Sequence, residues 1–259
     1  MRKNVLFNKQ KYEGVVFPTN NFGDVVVIKY TNNRKITVKF LDTSYVRDVR
    51  LVDLQRGEVR DYAVPSVYNV GVFDMHDFKN ETKTQEYSLW SGVLERCYSK
   101  INSKYLKNYK DCEASECFKY YSKFKKWCNT QVGFNSKDDK GNSFHLDKDI
   151  LIKGNKIYSE ETCCFVPQEI NCLFINSKSA RGDNPVGVHQ KNRNEKFGAT
   201  CSIGGCQKFL GYYSTTEEAF QAYKETKEAY IKEVANKWKD QIDSRVYEAL
   251  MNWSIEITD

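Results

Sequence analysis

His145, Asp147 and Asp149 alternate with Leu146, Lys148 and Ile150 in a segment, residues 145–152, that reads as a strand. Residues two apart on a strand point to the same side, so the three share one face. An imidazole beside two carboxylates can move a proton near neutral pH and can offer hard oxygen donors to a cation. His145 is the only imidazole between residues 141 and 175. The elements that must hold this face follow it directly. Gly154-Asn155 is a turn, a second short strand or loop spans Tyr158 to Phe165, and Pro167 sits at the first position of a helix running from Gln168 to Phe174 that carries Asn171. The order is strand, turn, strand, helix.

A second polar group lies further on: His189, Lys191, Arg193, Lys196, Ser202, Gln207 and Lys208. Three short strands are expected to carry it, Val186 to His189, Phe197 to Ile203 and Gln207 to Tyr212, with turns at residues 192–194 and at Gly204-Gly205. Thr215 or Thr216 with Glu218 marks a helix start, and Ala219, Phe220, Tyr223, Tyr230 and Val234 form an apolar stripe along the helix. Charge follows the same division. Residues 185–213 hold four Lys or Arg against one Glu, residues 1–62 hold 12 against 7 acids, and residues 214–259 hold 6 against 10. Basic charge thus gathers on the β-rich segments of a chain whose net charge is +6, as expected of polyanion-binding sheets backed by a solvated helix.

Pro185-Val-Gly-Val-His189, Lys196-Phe-Gly-Ala199, Cys201-Ser-Ile203, Phe209-Leu-Gly-Tyr-Tyr213 and Ser214 to Tyr223 occur in order. Together they closely resemble the APETALA2-type DNA-binding domain over about 45 residues. The resemblance implies a three-stranded sheet lying in the major groove with its helix packed behind. Such a ribbon fits that groove, where Arg, Lys and Gln reach base edges while other cations hold phosphates. By position, His189, Lys191, Arg193, Lys196, Ser202, Gln207 and Lys208 are the contacts, and Ala219, Phe220 and Tyr223 are core.

The run from His145 through Asp147-Lys-Asp149, Asn155, Tyr158, Thr162-Cys-Cys-Phe165 and Pro167 to Asn171 resembles the nuclease segment of phage HNH homing endonucleases, which also carry an APETALA2-type tail. With the helices before it, this resemblance covers residues 86–259. It implies two strands and a helix around one divalent metal. His145, Asp147 and Lys148 stand at the catalytic positions, and Asp147, Asp149, Asn155 and Asn171 are the candidate ligands. Oxygen and imidazole donors suit Mg2+ or Mn2+ for cleavage. No cofactor is expected for DNA binding. The chain departs from the generic pattern in having Lys148 where a His stands beside the Asp, and Asn171 where a His is found on the helix.

Before this lies a β-rich segment. Val25 to Tyr30 and Ile36 to Phe40 read as two strands joined at Asn32-Asn33, with a further stretch from Val59 to Val64 after Gly57. Lys29, Arg34, Lys35 and Lys39, with Arg47 and Arg50, could track phosphates there. Helical spacing then recurs through Leu89, Trp90, Val93, Leu94 and Cys97, and again through Phe118, Tyr121 and Cys128. These aromatics read as core rather than as a base-stacking platform.

The expected fold class is α+β and multidomain. A small antiparallel β-barrel occupies residues 1–62, a linker 63–85, a helical plus ββα HNH-like domain 86–176, and a three-stranded sheet packed on a helix, with C-terminal helices, 177–259. No run of 18 apolar residues and no secretory leader is read, so the expected setting is the cytoplasm of a host bacterium, away from membranes. Nine cysteines with no Cys-x-x-Cys pair read as reduced thiols, a scattered Cys/His zinc site being the alternative. The expected partner is double-stranded DNA, with homodimerisation open. The expected activity is site-specific cleavage or nicking. The alternative is a cleavage-deficient relative that represses transcription by occupying an operator.

Overall fold

The computed structural model describes residues 8, 10–75, 78–100, 109–174, 184–190 and 196–259. Mixed α/β structure with several antiparallel sheets divides into two compact units, residues 1–126 and 127–259.

In the first unit, β1 (Val16–Pro18), β2 (Asp24–Asn32), β3 (Lys35–Phe40) and β4 (Val46–Val49) form one antiparallel sheet in that order. The alternation seen in the sequence sets the inner face: Val25, Val27, Tyr30, Ile36, Val38 and Phe40 are buried, joined by Leu54 of the short helix α1 (Leu51–Gln55). The expected barrel is not closed. β1 pairs only with β2 and β4 only with β3 among the described residues, because the two edge strands are short and the chain leaves β4 into α1 rather than returning to β1. The stretch Val59 to Val64 forms no strand.

Helices α2 (Phe78–Glu81), α3 (Gln85–Tyr98) and α4 (Tyr121–Cys128) follow, with a short strand β5 (Glu113–Ala114) between α3 and α4. Thr84 caps α3 by accepting from the Tyr87 N–H. Trp90, Val93 and Leu94 face inward, and the Trp90 indole donates to Phe118 O at 2.8 Å. Phe118, Tyr121 and Phe124 are fully buried, so the aromatic stripe is core, as its spacing implied.

In the second unit, β6 (His145–Asp147) pairs antiparallel with β8 (Cys164–Val166), with the short β7 (Ile157–Tyr158) in the intervening loop. Helix α5 (Gln168–Asn171) begins after Pro167, which stands at the N-cap rather than inside the first turn. The strand expected to run to Ile152 stops at Asp147. That carboxylate accepts from the N–H groups of Asp149 and Ile150 at 2.8 and 2.9 Å, which bends the backbone out of the ladder.

The last sheet has the order β11 (Cys206–Tyr213), β10 (Phe197–Ile203), β9 (Val188–His189). Ala199, Cys201 and Val188 are buried against helix α6 (Thr216–Trp238), whose Ala219, Phe220 and Tyr223 are core as expected. Thr215 and Glu218 complete a capping box at its start. Helix α7 (Ser244–Met251) packs on α6 through Val246 and Leu250. Among the described residues no helix is long and apolar enough to cross a membrane.

One glycine fixes how the sheet meets α6. Gly187 has φ +77°, and a Cβ there would lie 2.1 Å from the Tyr223 ring. Left-handed backbone and a clash with a packed ring both oppose a side chain. Gly187→Ala is therefore expected to destabilise the chain by about 2–4 kcal/mol in urea unfolding, whereas Gly154→Ala, with φ +77° but open space around it, should cost about 1–2 kcal/mol.

Candidate functional site

The His145 and Asp147 side chains leave β6 on one side, as strand alternation requires. Asn171 of α5 reaches the imidazole, its Nδ2 standing 3.3 Å from His145 Nδ1. This contact joins the strand to the helix and sets two roles against each other. If Nδ2 donates to Nδ1, the Asn171 oxygen is left for a metal, but His145 carries its proton on Nε2. With the amide turned over, Nδ1–H donates to the oxygen and Nε2 keeps the lone pair a base needs. Asn171 therefore serves either as a ligand or as the group that readies His145.

Asp147 is half-buried, and its Oδ1 is committed to the two backbone N–H groups that end β6. Burial, and then the negative charge of Asp149 beside it, push its carboxyl up to about 6. Asp149 has left the strand, so the bend rather than strand alternation brings the two carboxylates together.

Lys148 points the other way. It is buried, and its ammonium donates to Asp149 at 2.9 Å and to Asn155 O at 3.0 Å, so it braces the loop instead of facing a substrate. Asn155 also turns away from the carboxylates. Its amide donates to Lys148 O and Ile157 O, both at 2.7 Å, and its oxygen accepts from Ile157 N–H. Of the expected ligands, Asp147 and Asp149 are brought together, Asn171 is adjacent through His145, and Asn155 is consumed by the turn.

Among the described residues, no group of three or more His, Cys, Asp or Glu stands at metal-ligating spacing. Magnesium commonly takes only one or two protein carboxylates and keeps water for the rest, so this oxygen pair suits a hard divalent ion. The neighbouring thiols do not compete for it. Burial pushes Cys163 up to about 12 and raises Cys164 as well, leaving both protonated.

The C-terminal sheet sorts the second group of residues by register. Cys201 is buried on the α6 side, so Ser202, Thr200 and Gly198 face outward. Their partners on β11, Gln207, Phe209 and Tyr212, share that outer face. His189 joins them, its ring lying over Gly198, where a Cβ would come within 2.5 Å of Nε2. Lys208 is paired with Cys201 and so stands on the α6 side, contrary to expectation. Lys196 is exposed just ahead of β10, while Lys191 and Arg193 lie outside the described residues.

Thr200, Phe209 and Tyr212 were missed. Period-two counting outward from Ser202 and Gln207 would have found the first two. The exposure of Phe209 (52%) and Tyr212 (67%), with ring centroids 4.9 Å apart, shows that these aromatics are not core.

On the first unit, Lys29 and Arg34 are exposed and Lys39 is half-buried, and none has a carboxylate partner among the described residues. Lys35 pairs with Asp48 at 3.4 Å. Arg47 donates to Arg60 O and lies over the Tyr62 ring, and Arg50 is held by Asp53. The hydrogen bond from Thr37 and the nearby Lys35 keep the Asp48 carboxyl below its ordinary range, so an anion sits within this basic face.

Comparison with known proteins gives no match: no family model, no curated protein and no solved structure resembles this chain detectably.

The raised Asp147 carboxyl has a consequence for stability. Between about pH 4 and pH 6 the folded chain keeps a proton that the unfolded chain has released, so stability falls as pH rises through that window. Asp147→Asn keeps the oxygen that ends β6 and removes the charge. In metal-free thermal unfolding at pH 8 it is expected to exceed the wild type by about 1–3 kcal/mol, with the decline between pH 4 and 6 reduced. A wild-type profile flat over that range would refute the assignment.

Proposed function

We propose that the chain is a sequence-specific double-stranded DNA-binding protein of the HNH homing-endonuclease type, with a metal-dependent phosphodiester-cleaving centre at His145, Asp147 and Asp149. What supports this most is the outer face of the C-terminal sheet. There His189, Thr200, Ser202, Gln207, Phe209 and Tyr212 are displayed on an antiparallel ribbon whose other side is closed by α6. A ribbon of this kind enters the major groove, its polar groups reading base edges and its aromatics meeting thymine methyls. On this reading Lys196 contacts phosphate ahead of the sheet, and Lys29, Arg34 and Lys39 of the first unit track the backbone.

At the cleavage centre, Asn171 holds Nδ1 of His145 so that Nε2 can take the proton of an attacking water. Asp147 and Asp149 would hold Mg2+ or Mn2+, which when bound stabilises charge developing at the phosphate and the leaving oxygen. Lys148 keeps Asp149 in place, and the two N–H groups on Asp147 fix its orientation. The proposed setting is the cytoplasm of a host bacterium, where thiols stay reduced. One centre per chain gives a nick, and a dimer gives a double-strand break.

A second reading has its own observation. Asp149 is already ion-paired with Lys148, so one of the two carboxylates is neutralised by the protein itself. A chain that binds its site without cutting, and so represses transcription, fits that pairing.

Genomic DNA of the source element, incubated with the chain and Mg2+ or Mn2+ and then end-sequenced, separates the two. Discrete metal-dependent ends that Asp147→Asn abolishes while leaving the footprint intact are expected. Uncut DNA beneath a specific footprint selects the repressor, and sequence-indifferent binding overturns both. On the mapped site, Gln207→Ala is expected to cost about 1–3 kcal/mol of binding, or roughly 5- to 150-fold in Kd, chiefly by lost discrimination at its base.

A further inference from the structure

Lys227 projects from α6 toward Cys201 of β10 and is only 8% exposed. Its Nζ stands 5.8 Å from the centroid of the Tyr230 ring, and among the described residues no acceptor lies within hydrogen-bond reach of it. Two other lysines of α6 are paired: Lys224 with Ile255 O and Glu228, Lys237 with Glu169. The Cys201 thiol cannot supply the missing charge, because burial raises its pKa and keeps it protonated. Burial in turn pulls the Lys227 ammonium below the ordinary lysine range. A buried cation without an anion is costly, and proteins retain one chiefly where something charged binds.

Lys227 borders a cleft of about 870 Å3 within the second unit. Thr200, Ser202, Gln207 and His189 of the sheet and Tyr223 and Tyr230 of α6 are among its lining residues. Of the three acids in its lining, two are already committed, and Asp139 has no partner among the described residues. Glu169 accepts from Lys237 and from the Trp238 indole, and Asp138 accepts from the N–H groups of Lys140 and Asn142. What the cleft offers a ligand is therefore the ammonium groups of Lys227 and Lys140, two hydroxyls and a primary amide, beside aromatic rings. A tetrahedral oxyanion with several acceptor oxygens matches that donor set, and the volume admits a nucleotide-sized group.

We propose that this cleft takes a phosphate group, with Lys227 as its charge partner. The phosphate is either a backbone phosphodiester of duplex DNA at the rim of the sheet or the phosphomonoester of a free nucleotide. Only the duplex alternative rests on the DNA-binding reading above.

The test uses the full chain and Lys227→Met, which replaces an unpaired buried ammonium with a neutral side chain of similar length and should unfold at or above the wild-type temperature. Thermal unfolding is followed with inorganic phosphate and with AMP against chloride at matched ionic strength. Binding to a duplex is measured across a salt series. A phosphate- or AMP-dependent rise in Tm that Lys227→Met loses assigns the free nucleotide. An unresponsive Tm with a log K against log salt slope shallower by about 0.9 in the variant assigns a DNA phosphate. If neither quantity differs between the two chains, the proposal is overturned. Absence of duplex binding in both chains removes the DNA-binding reading alone, since the thermal arm still decides. Should Lys227→Met not fold, the wild-type chain with 13C-methylated lysines gives the readout. The signal that titrates below the other lysines must move on adding AMP or duplex, and a fixed signal overturns the proposal.

Discussion

Trp238 is the joint on which the second unit depends. Its ring is 2% exposed and meets Phe144 edge-on at 5.8 Å, and its N–H donates to Glu169 at 2.8 Å. A buried indole needs that partner, and Glu169 gains a cation from Lys237, which together with the indole holds its carboxyl low despite burial. Phe144 directly precedes His145, and Glu169 lies on the same short helix as Asn171. One side chain at the end of α6 thus touches both elements that frame the imidazole. Neither a three-residue strand nor a four-residue helix could hold its position unaided.

Two groups on this scaffold work against stability. The Asp147 carboxyl is kept half-buried beside a second carboxylate, and the Lys227 ammonium is kept buried without an anion. Each would be neutral or better replaced by an apolar residue if folding alone were at stake. Both face a place where a ligand could relieve them, a divalent cation in one case and a phosphate in the other. Buried groups with displaced pKa values concentrate where binding energy is later recovered.

Much of the fold was legible in the sequence because its signals were local. The hairpin of β2 and β3, the capping box at Thr215 and Glu218, and the buried helical stripes of Trp90 and Tyr121 all follow from spacing and turn chemistry. The failures came where a single side chain overrode a pattern. Asp147 ends β6 by capping the next two N–H groups, so alternation could not be carried to Asp149. Asn155, read as a ligand by position, spends its amide closing its own turn. Lys208 looked equivalent to Gln207 in sequence, and only register against Cys201 put it on the other side. Barrel closure was beyond reach because it depends on whether two short edge strands meet, which no local pattern encodes.

The length of α6 carries one more implication. Tyr223, packed under Gly187 of the sheet, and Trp238, packed under the strand that bears His145, belong to one uninterrupted helix of 23 residues. The fifteen residue steps from one to the other span about 22 Å of rigid rod. Such a rod acts as a ruler. If the sheet grips one stretch of duplex and His145 attends another, the interval between the bases that are read and the bond that is attacked is fixed by the protein, whatever sequence lies in between.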